Sequence, residues 1–230
     1  MTKDQLTAIW AFVDQGTAFP RIGASAQASI VRMVPTLVNR LAGTGTEQNV
    51  LLRQELSPLL RAGGDRASNV AIWIVKEWGG IVRRHPQTIR DWIWALDDFG
   101  STAIARLIES EGTSNISSWS KILSFADARH HAVYDARTAT ALNCALSAAV
   151  ADFRFVMPSS RNGPIASAAE RLVEDRRAFR SYAGYRSYIE LLSQIADVGL
   201  EPSLLDAEMK LFANADNIVG KYLEGELDRL

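Results

Sequence analysis

The chain has 230 residues, a formal net charge of −1, 47% hydrophobic and 22% charged residues, and one cysteine. This length is enough for one large domain with its own core. One cysteine excludes an intramolecular disulfide, and the near-neutral charge gives no global argument for binding a polyanion. No apolar run approaches the roughly 20 residues that span a bilayer, so we expect a cytoplasmic protein without membrane contact.

The charge is unevenly distributed along the chain. Residues 121–190 carry a net charge of +3, whereas residues 191–230 carry −5. Contacts with phosphate are therefore expected in the middle of the chain rather than in its C-terminal part.

Apolar residues recur at helical spacing along almost the whole chain, and alternating strand patterns are nearly absent. Pro35 predicts a kink or break near Val34, while Pro86 and Pro202 mark the starts of helices. The pattern predicts one compact all-α domain over 1–230, with N-terminal helices, 1–65, packed on a core of 66–230. Helices are predicted over 4–15, 25–42, 47–62, 67–83, 86–98, 101–110, 118–127, 136–151, 165–178, 181–197, 202–214 and 216–228. The run 153–157 is predicted to be extended, and "PSSRNGP" after it to be an ordered loop.

Residues 116–142, "ISSWSKILSFADARHHAVYDARTATAL", form the most informative segment. Two short helices, "STAIARLIES" and "SSWSKILSFA", are joined by a polar turn, with Ser117 or Ser118 as the N-cap of the second. Lys121 then falls near a helix N-terminus, where the dipole opposes a cation and favours the neutral amine that a nucleophile requires. Asp135 precedes "ARTATALNCAL" and is placed to cap that helix. From these residues alone, Lys121 and Asp135 could each have a purely structural role at a helix end or take part in catalysis.

The same segment resembles the 8-oxoguanine-type members of the helix–hairpin–helix DNA glycosylase superfamily, and more closely the bacterial OGG-fold proteins. The likeness lies in the serine–lysine pair of "SSWSKILSFA" followed by "AVYDAR", and it extends over residues 70–215. It implies a glycosylase-like fold, no cofactor, and DNA as the partner. It also implies that Lys121 attacks C1′ of a modified nucleoside, displaces the base and forms a Schiff base, while Asp135 activates the amine and stabilises the cationic sugar.

The resemblance further implies a set of contact residues. In the superfamily a glycine-rich turn grips a DNA phosphate, whereas the turn here has one glycine, Gly112, and serines. Lyase activity at the abasic site and partner proteins from an antiphage defence operon are further implications. The expected DNA contacts are Ser117, Ser118 and Ser120, and the expected substrate contacts are Trp119, Tyr134, Arg137, Ser159, Ser160 and Arg161.

Other kinds of site are weighed from the residues. Adjacent histidines on a helix point about 100° apart, so His130 and His131 are expected to be exposed loop histidines rather than metal ligands. The sequence has no nucleophile elbow, P-loop or dinucleotide-binding glycine run. The arginines and tyrosines of "EDRRAFRSYAGYRSY" suit either nucleic acid or a solvated helix face. A non-catalytic module that binds nucleic acid or protein is the alternative to an enzyme.

Four expectations concern packing. Trp73 and Trp92 are predicted to lie in the core, and Cys144 to be a small buried hydrophobe. Trp78, beside two glycines, is predicted to pack on a close backbone turn. Arg137 is expected to pair with the Asp135 carboxylate.

Overall fold

The computed structural model describes residues 1–14, 16–96, 99–174 and 181–227, with the backbone alone at positions 181 and 182. Helices dominate these residues, so the all-α prediction is confirmed in this coarse form. In chain order the helices are α1 Lys3–Val13, α2 Ala24–Met33, α3 Gly45–Arg61, α4 Gly64–Trp73, α5 Pro86–Leu96, α6 Ser101–Glu111, α7 Ile116–Ala126, α8 Ala136–Ala148, α9 Gly163–Glu174, α10 Tyr185–Asp197 and α11 Leu204–Glu224. None of the helices so described is long and apolar enough to cross a membrane. The helix–hairpin–helix element and the glycosylase likeness stay predictions.

The chain forms two compact units. The central unit is Phe19–Val133, and the terminal unit combines Met1–Ala18 with Tyr134–Leu230. The expectation of one domain, with 1–65 packed on 66–230, stays a prediction.

Proline sets two helix boundaries in the central unit, as predicted. Helix α2 ends at Met33, and a short 3-10 turn, Pro35–Leu37, follows. Helix α5 begins at Pro86, which has no N–H to satisfy in the first turn. Trp73 and Trp92 are both buried, so their prediction as core residues is confirmed.

Helix α7 is the most enclosed helix of the central unit. Every residue from Ser118 to Ala126 is buried, and the helix packs against α3. A buried helix end needs partners for its last carbonyl groups. The Ala126 carbonyl accepts hydrogen bonds from Ser57 Oγ at 2.6 Å and from Arg61 Nε at 3.1 Å, and Arg61 also pairs with Asp127. Side chains of α3 therefore fix the C-terminal end of α7.

Helix α8 is similarly enclosed by other helices in the terminal unit. Its residues from Thr138 to Ser147 are buried, and it packs against α11, α9 and α1. The sequence "TATALNCALS" explains this, because small side chains let several helices approach one another closely. Cys144 is among the buried residues, which confirms its prediction as a small hydrophobe, and burial raises the pKa of its thiol.

A small parallel sheet packs beside α8. Strand β1, Phe153–Phe155, pairs with β2, Ser181–Ala183. Asn143 of α8 holds β1 by accepting a hydrogen bond from the Phe155 N–H and donating one to its carbonyl, both at 2.8 Å. The predicted extended run is thus confirmed. The helix predicted over 181–197 is wrong at its start. Residues 181–183 form β2, and α10 begins only at Tyr185.

Helix α11 corrects a second boundary, since helices over 202–214 and 216–228 were predicted and one helix is present. No break occurs at 215. Asn214 is instead buried, with Oδ1 accepting from Thr17 N–H at 3.1 Å and Nδ2 donating to the Lys210 carbonyl. Because this side chain is hydrogen-bonded, the apolar stripe through Ala215 and Ile218 continues without interruption.

We predict that His131 makes the protein less stable in acid. Burial lowers the pKa of His131 from 6.5 by more than Asp127 raises it. Below pH 6.5 the unfolded chain therefore binds this proton more readily than the folded one, so the stability present above that pH declines as pH falls. Denaturant unfolding of the wild type and His131→Gln at about pH 8 and about pH 5.5 measures this loss.

The loss between the two pH values should be smaller in His131→Gln than in the wild type. His85→Gln is the matched control, because His85 is exposed on a loop of the same unit. An equal loss in His131→Gln and the wild type would contradict the prediction.

Candidate active site

Lys121 lies in the interior of α7. It is the sixth residue of Ile116–Ala126 and its relative exposure is 2%. The helix begins two residues earlier than predicted, after Asn115, and neither Ser117 nor Ser118 is its N-cap. The placement of Lys121 near a helix N-terminus is therefore wrong, because the influence of the dipole fades beyond the first turn. Burial in the core, rather than the helix dipole, distinguishes this lysine.

Gly79 makes room for the Lys121 side chain. Helix α4 continues directly into a π-helical turn, Ile74–Trp78, and Gly79 follows it. A Cβ atom built on Gly79 would lie 2.7 Å from Cδ and 2.8 Å from Cε of Lys121. The backbone of the π-helical turn thus closely approaches the aliphatic stem of the lysine. The predicted helix over 67–83 is wrong beyond Trp78, because the π-helical turn ends the helix there.

Phe125, one helical turn after Lys121, receives two further contacts. The Trp78 ring meets it edge-on with centroids 4.8 Å apart, and the guanidinium of Arg53 lies over it at 5.2 Å. Trp78 Nε1 donates to Asn49 Oδ1 at 2.8 Å. The Trp78 indole is thus held between a polar group of α3 and an aromatic ring of α7.

The residues expected to contact DNA lie on the first turns of α7. Ser118 and Ser120 are buried, and Ser118 Oγ accepts a hydrogen bond from Arg84 Nε at 3.2 Å. Ser117 is partly exposed, so it is the member of this set that a phosphate can approach in this conformation. Trp119, expected to contact substrate, is buried in the core. The roles of these residues in binding stay predictions.

Asp135 caps α8, as the sequence predicts. Its Oδ1 accepts hydrogen bonds from the N–H groups of Arg137 at 3.0 Å and Thr138 at 3.2 Å. Thr138 Oγ1 accepts in return from the Asp135 N–H at 3.1 Å, which completes a capping box. The carboxylate is thereby held in a fixed orientation at a helix N-terminus, where negative charge is favoured.

Aromatic and acidic side chains surround this cap within the terminal unit. Tyr134 is buried, donates its hydroxyl to the Val156 carbonyl, and meets Tyr188 edge-on at 4.9 Å. Burial, followed by the charges of Glu208 and Asp135, raises the pKa of Tyr188 well above its usual range. The phenolic proton of Tyr188 is therefore held more tightly than that of an exposed tyrosine, next to two carboxyl groups.

Arg137 does not make its expected ion pair with the Asp135 side chain. Its guanidinium pairs with Asp216 at 2.5 Å and lies 5.0 Å from the centre of the Phe212 ring. Its backbone N–H, which donates to Asp135, is the part of the residue that serves the cap. The pairing prediction is wrong because α11 brings another carboxylate to the guanidinium.

The loop before α9 has the ordered form that its sequence predicts. Ser160 Oγ accepts from the Asn162 N–H at 3.1 Å, and Asn162 Oδ1 accepts from Ile165 N–H at 3.4 Å. Ser159 and Arg161 are exposed beside these bonds. The loop can therefore present a cation and a hydroxyl to an anion, and that role stays a prediction. The arginine cluster singled out in the sequence is described only in part, because residues 175–180 and the Tyr182 side chain lie outside the described residues.

The histidines do not form a metal site with other ligands in the described part of the chain. His130 is exposed as predicted, and its Nδ1 lies 2.9 Å from Asp127 Oδ2. The same prediction is wrong for His131, which is partly buried. Asp127 is shared with Arg61, and no group of three metal-ligating side chains occurs among the described residues. Burial raises the pKa of Asp127, but its bonds to His130 and the Arg129 N–H, together with the Arg61 charge, lower the pKa by more. The net pKa of Asp127 is therefore below its usual value.

Sequence reasoning missed three residues of these sites: Gly79, Arg53 and Glu208. Arg53 and Glu208 each interrupt an apolar stripe, since Arg53 lies between Leu52 and Leu56, and Glu208 sits beside Ala207. A charged residue at a core-facing helical position is a signal that the sequence carries. Gly79 carries no such signal, because its importance depends on a contact 42 positions away in the sequence.

Lys121 belongs to the central unit and Asp135 to the terminal unit. Their joint action on one substrate stays a prediction. Comparison of the chain with protein-family models, with curated proteins and with solved structures finds no match.

We predict that Asp135 stabilises the fold through the hydrogen bonds of its cap rather than through its charge. Asp135→Ala removes the cap and should lower the free energy of unfolding by about 1 kcal/mol, whereas Asp135→Asn keeps a capping side chain and should change it by less than about 0.5 kcal/mol. Denaturant unfolding measures both. Asp216→Asn, an exposed carboxylate of the same unit, is the control. Equal destabilisation by Asn and Ala would show that the charge, rather than the cap, stabilises the fold.

Proposed function

We propose that the protein is a DNA N-glycosylase that removes a modified base and uses Lys121 as its nucleophile. The observation that supports this most is the burial of the only lysine between Lys76 and Lys210 in the core of the central unit. Lysine is almost never fully buried unless it is paired, so the burial of Lys121 requires a reason. An amine shielded from water is one such reason, because a nucleophile must shed its hydration before it attacks.

The proposed reaction displaces the base at C1′ of the target nucleoside. A bond forms between Nζ of the neutral Lys121 amine and C1′, and the glycosidic bond breaks with its electron pair leaving on the base. The nitrogen loses one proton to the departing base, which leaves neutral. The C1′–O4′ bond then breaks, O4′ takes up the second proton of the nitrogen, and the Schiff base forms, from which lyase cleavage of the strand can follow. No metal or cofactor is required for these steps.

Asp135 has a complementary role in the proposal. The displacement develops positive charge on the sugar, and a carboxylate held in one orientation stabilises that charge without reorganising. The capping box supports this role, because two backbone N–H groups fix the carboxylate. The target base must leave the stack to be reached. Tyr134, Arg137, Ser159, Ser160 and Arg161 are proposed to contact the substrate on the terminal unit.

A non-catalytic module that binds nucleic acid or protein is the second candidate. The observation that favours its protein-binding form is the burial of Ser118 and Ser120, which withdraws two of the three proposed phosphate contacts from the surface. In that case neutralising Lys121 and Asp135 together would leave binding unchanged. A place in an antiphage defence system is compatible with both candidates and is proposed from the resemblance alone.

We predict that borohydride traps a covalent adduct between the protein and DNA. Labelled duplexes containing an abasic site or one of a panel of modified bases are incubated with the protein and sodium borohydride, and the adduct is measured by denaturing electrophoresis. Borohydride reduces the Schiff base to a stable amine, so adduct formation reports a covalent bond between the sugar and a primary amine of the protein, and the Lys121 variant assigns that amine. Lys121→Gln should abolish trapping on every substrate that the wild type traps.

Lys3→Gln is the matched control, because Lys3 is exposed in the first turn of α1. It should trap as the wild type does. Unfolding curves of all three proteins establish that Lys121→Gln remains folded. Absence of an adduct across the panel, or an undiminished adduct with Lys121→Gln, would contradict the proposal.

A further inference from the structure

We propose that the π-helical turn Ile74–Trp78, together with Gly79, is a positioning element for the Lys121 amine. The catalytic consequence of this inference rests on the proposed function, whereas its geometry rests on contacts within the central unit. Gly79 is thus a positioning residue, which acts on the reaction only through Lys121.

The π-helical turn is a local departure from an otherwise regular helix. The Gly79 N–H donates to the Ile74 carbonyl at 2.8 Å, and the Ile81 N–H donates to the Val75 carbonyl at 3.0 Å. These bonds span five and six residues, so the turn is wider than that of an α-helix. Turns of this kind are rare, and they occur frequently at functional sites. The departure brings the backbone at Gly79 to the side chain of Lys121.

The need for glycine at position 79 comes from space and not from backbone dihedral angles. Its φ of −86° and ψ of −7° are accessible to any residue. A Cβ there would lie 2.7 Å from Cδ and 2.8 Å from Cε of Lys121, and 2.9 Å from the Ile74 carbonyl oxygen. Since real Cβ contacts essentially never fall below 3.0 Å, either the lysine stem or the backbone of the turn would have to move.

Neighbouring contacts keep the turn in place against α7. Trp78 bonds to Asn49 and packs edge-on against Phe125. Phe125 and Lys121 are four residues apart and lie on the same face of α7. Trp78, the last residue of the π-helical turn, therefore contacts Phe125, and Gly79, which follows it, lies against Lys121 one helical turn earlier in α7. Two contacts along one face fix where the lysine stem lies, which a single contact would not.

Displacement of the stem should act on the chemical step. Misplacing a reacting group by about 1 Å can lower a rate by about 100-fold, because the nucleophile leaves its attack position. We therefore expect Gly79→Ala to lower the rate of trapped-adduct formation at saturating DNA by about 10- to 100-fold. The DNA concentration that gives half the maximal rate should change by less than about 3-fold, since the atoms nearest an added Cβ belong to Lys121 and Ile74 and not to a proposed DNA contact.

Gly23→Ala is the matched control in the same unit. It makes the same chemical change at a glycine with ordinary φ and no neighbouring atom within 4 Å of an added Cβ. It should leave the rate of adduct formation at the wild-type value. A rate in Gly79→Ala within about 2-fold of the wild type, under conditions where the wild type forms adduct, would overturn the positioning role.

A thermal-stability cycle tests the contact independently of the proposed function. Gly79→Ala should lower the Tm by about 4 °C or more in the wild type, and by clearly less in a Lys121→Ala background, where the stem is absent. The contact between the added Cβ and the Ile74 carbonyl is present in both backgrounds, so it cancels in the difference between the two Tm shifts. Equal Tm shifts in the two backgrounds would overturn the inference. If the wild type forms no adduct, the proposed function fails, and this cycle still decides whether Gly79 positions Lys121.

Discussion

The burial of Lys121 is the constraint on which the surrounding structure depends. A lysine in a core requires a channel for its stem and an environment that tolerates its amino group, because transfer of an unpaired charge out of water is costly. The central unit meets the first requirement with a glycine on a π-helical turn, and it fixes the end of α7 with Arg61 and Ser57. Helix α7 is consequently held at both its middle and its C-terminal end.

The second half of the same segment is organised around a carboxylate. Asp135 opens α8, the helix around which the terminal unit packs, and its cap makes the position of the charge part of the fold. A residue with this structural role can also serve chemistry, because a group fixed for stability is preorganised for catalysis. Asp135 can therefore both cap α8 and act in the reaction. In that case Asp135→Asn, which keeps a capping side chain but removes the charge, leaves α8 intact and abolishes the reaction.

The sequence predicts those features that depend on neighbours in the chain. Pro35, Pro86 and Asp135 mark helix boundaries through local backbone and capping chemistry, and each prediction is confirmed. Features set by distant contacts were missed or misplaced. Strand β2, Ser181–Ala183, needs β1 as its partner, the continuity of α11 needs Thr17 to satisfy Asn214, and Arg137 pairs with Asp216. Lys121 was singled out for its position on a helix dipole, whereas its burial by residues far away in sequence is what distinguishes it.

The central claim is that the Lys121 amine forms the covalent bond to the sugar. The most direct test is mass-spectrometric mapping of the borohydride-reduced adduct after proteolysis and nuclease digestion. The sequence contains five lysines and an N-terminal amine that could in principle react, so the site of modification is decisive. The account predicts the added sugar-phosphate mass on the peptide that contains Lys121. The same mass on another lysine or on the N-terminal amine, with Lys121 unmodified, would contradict it.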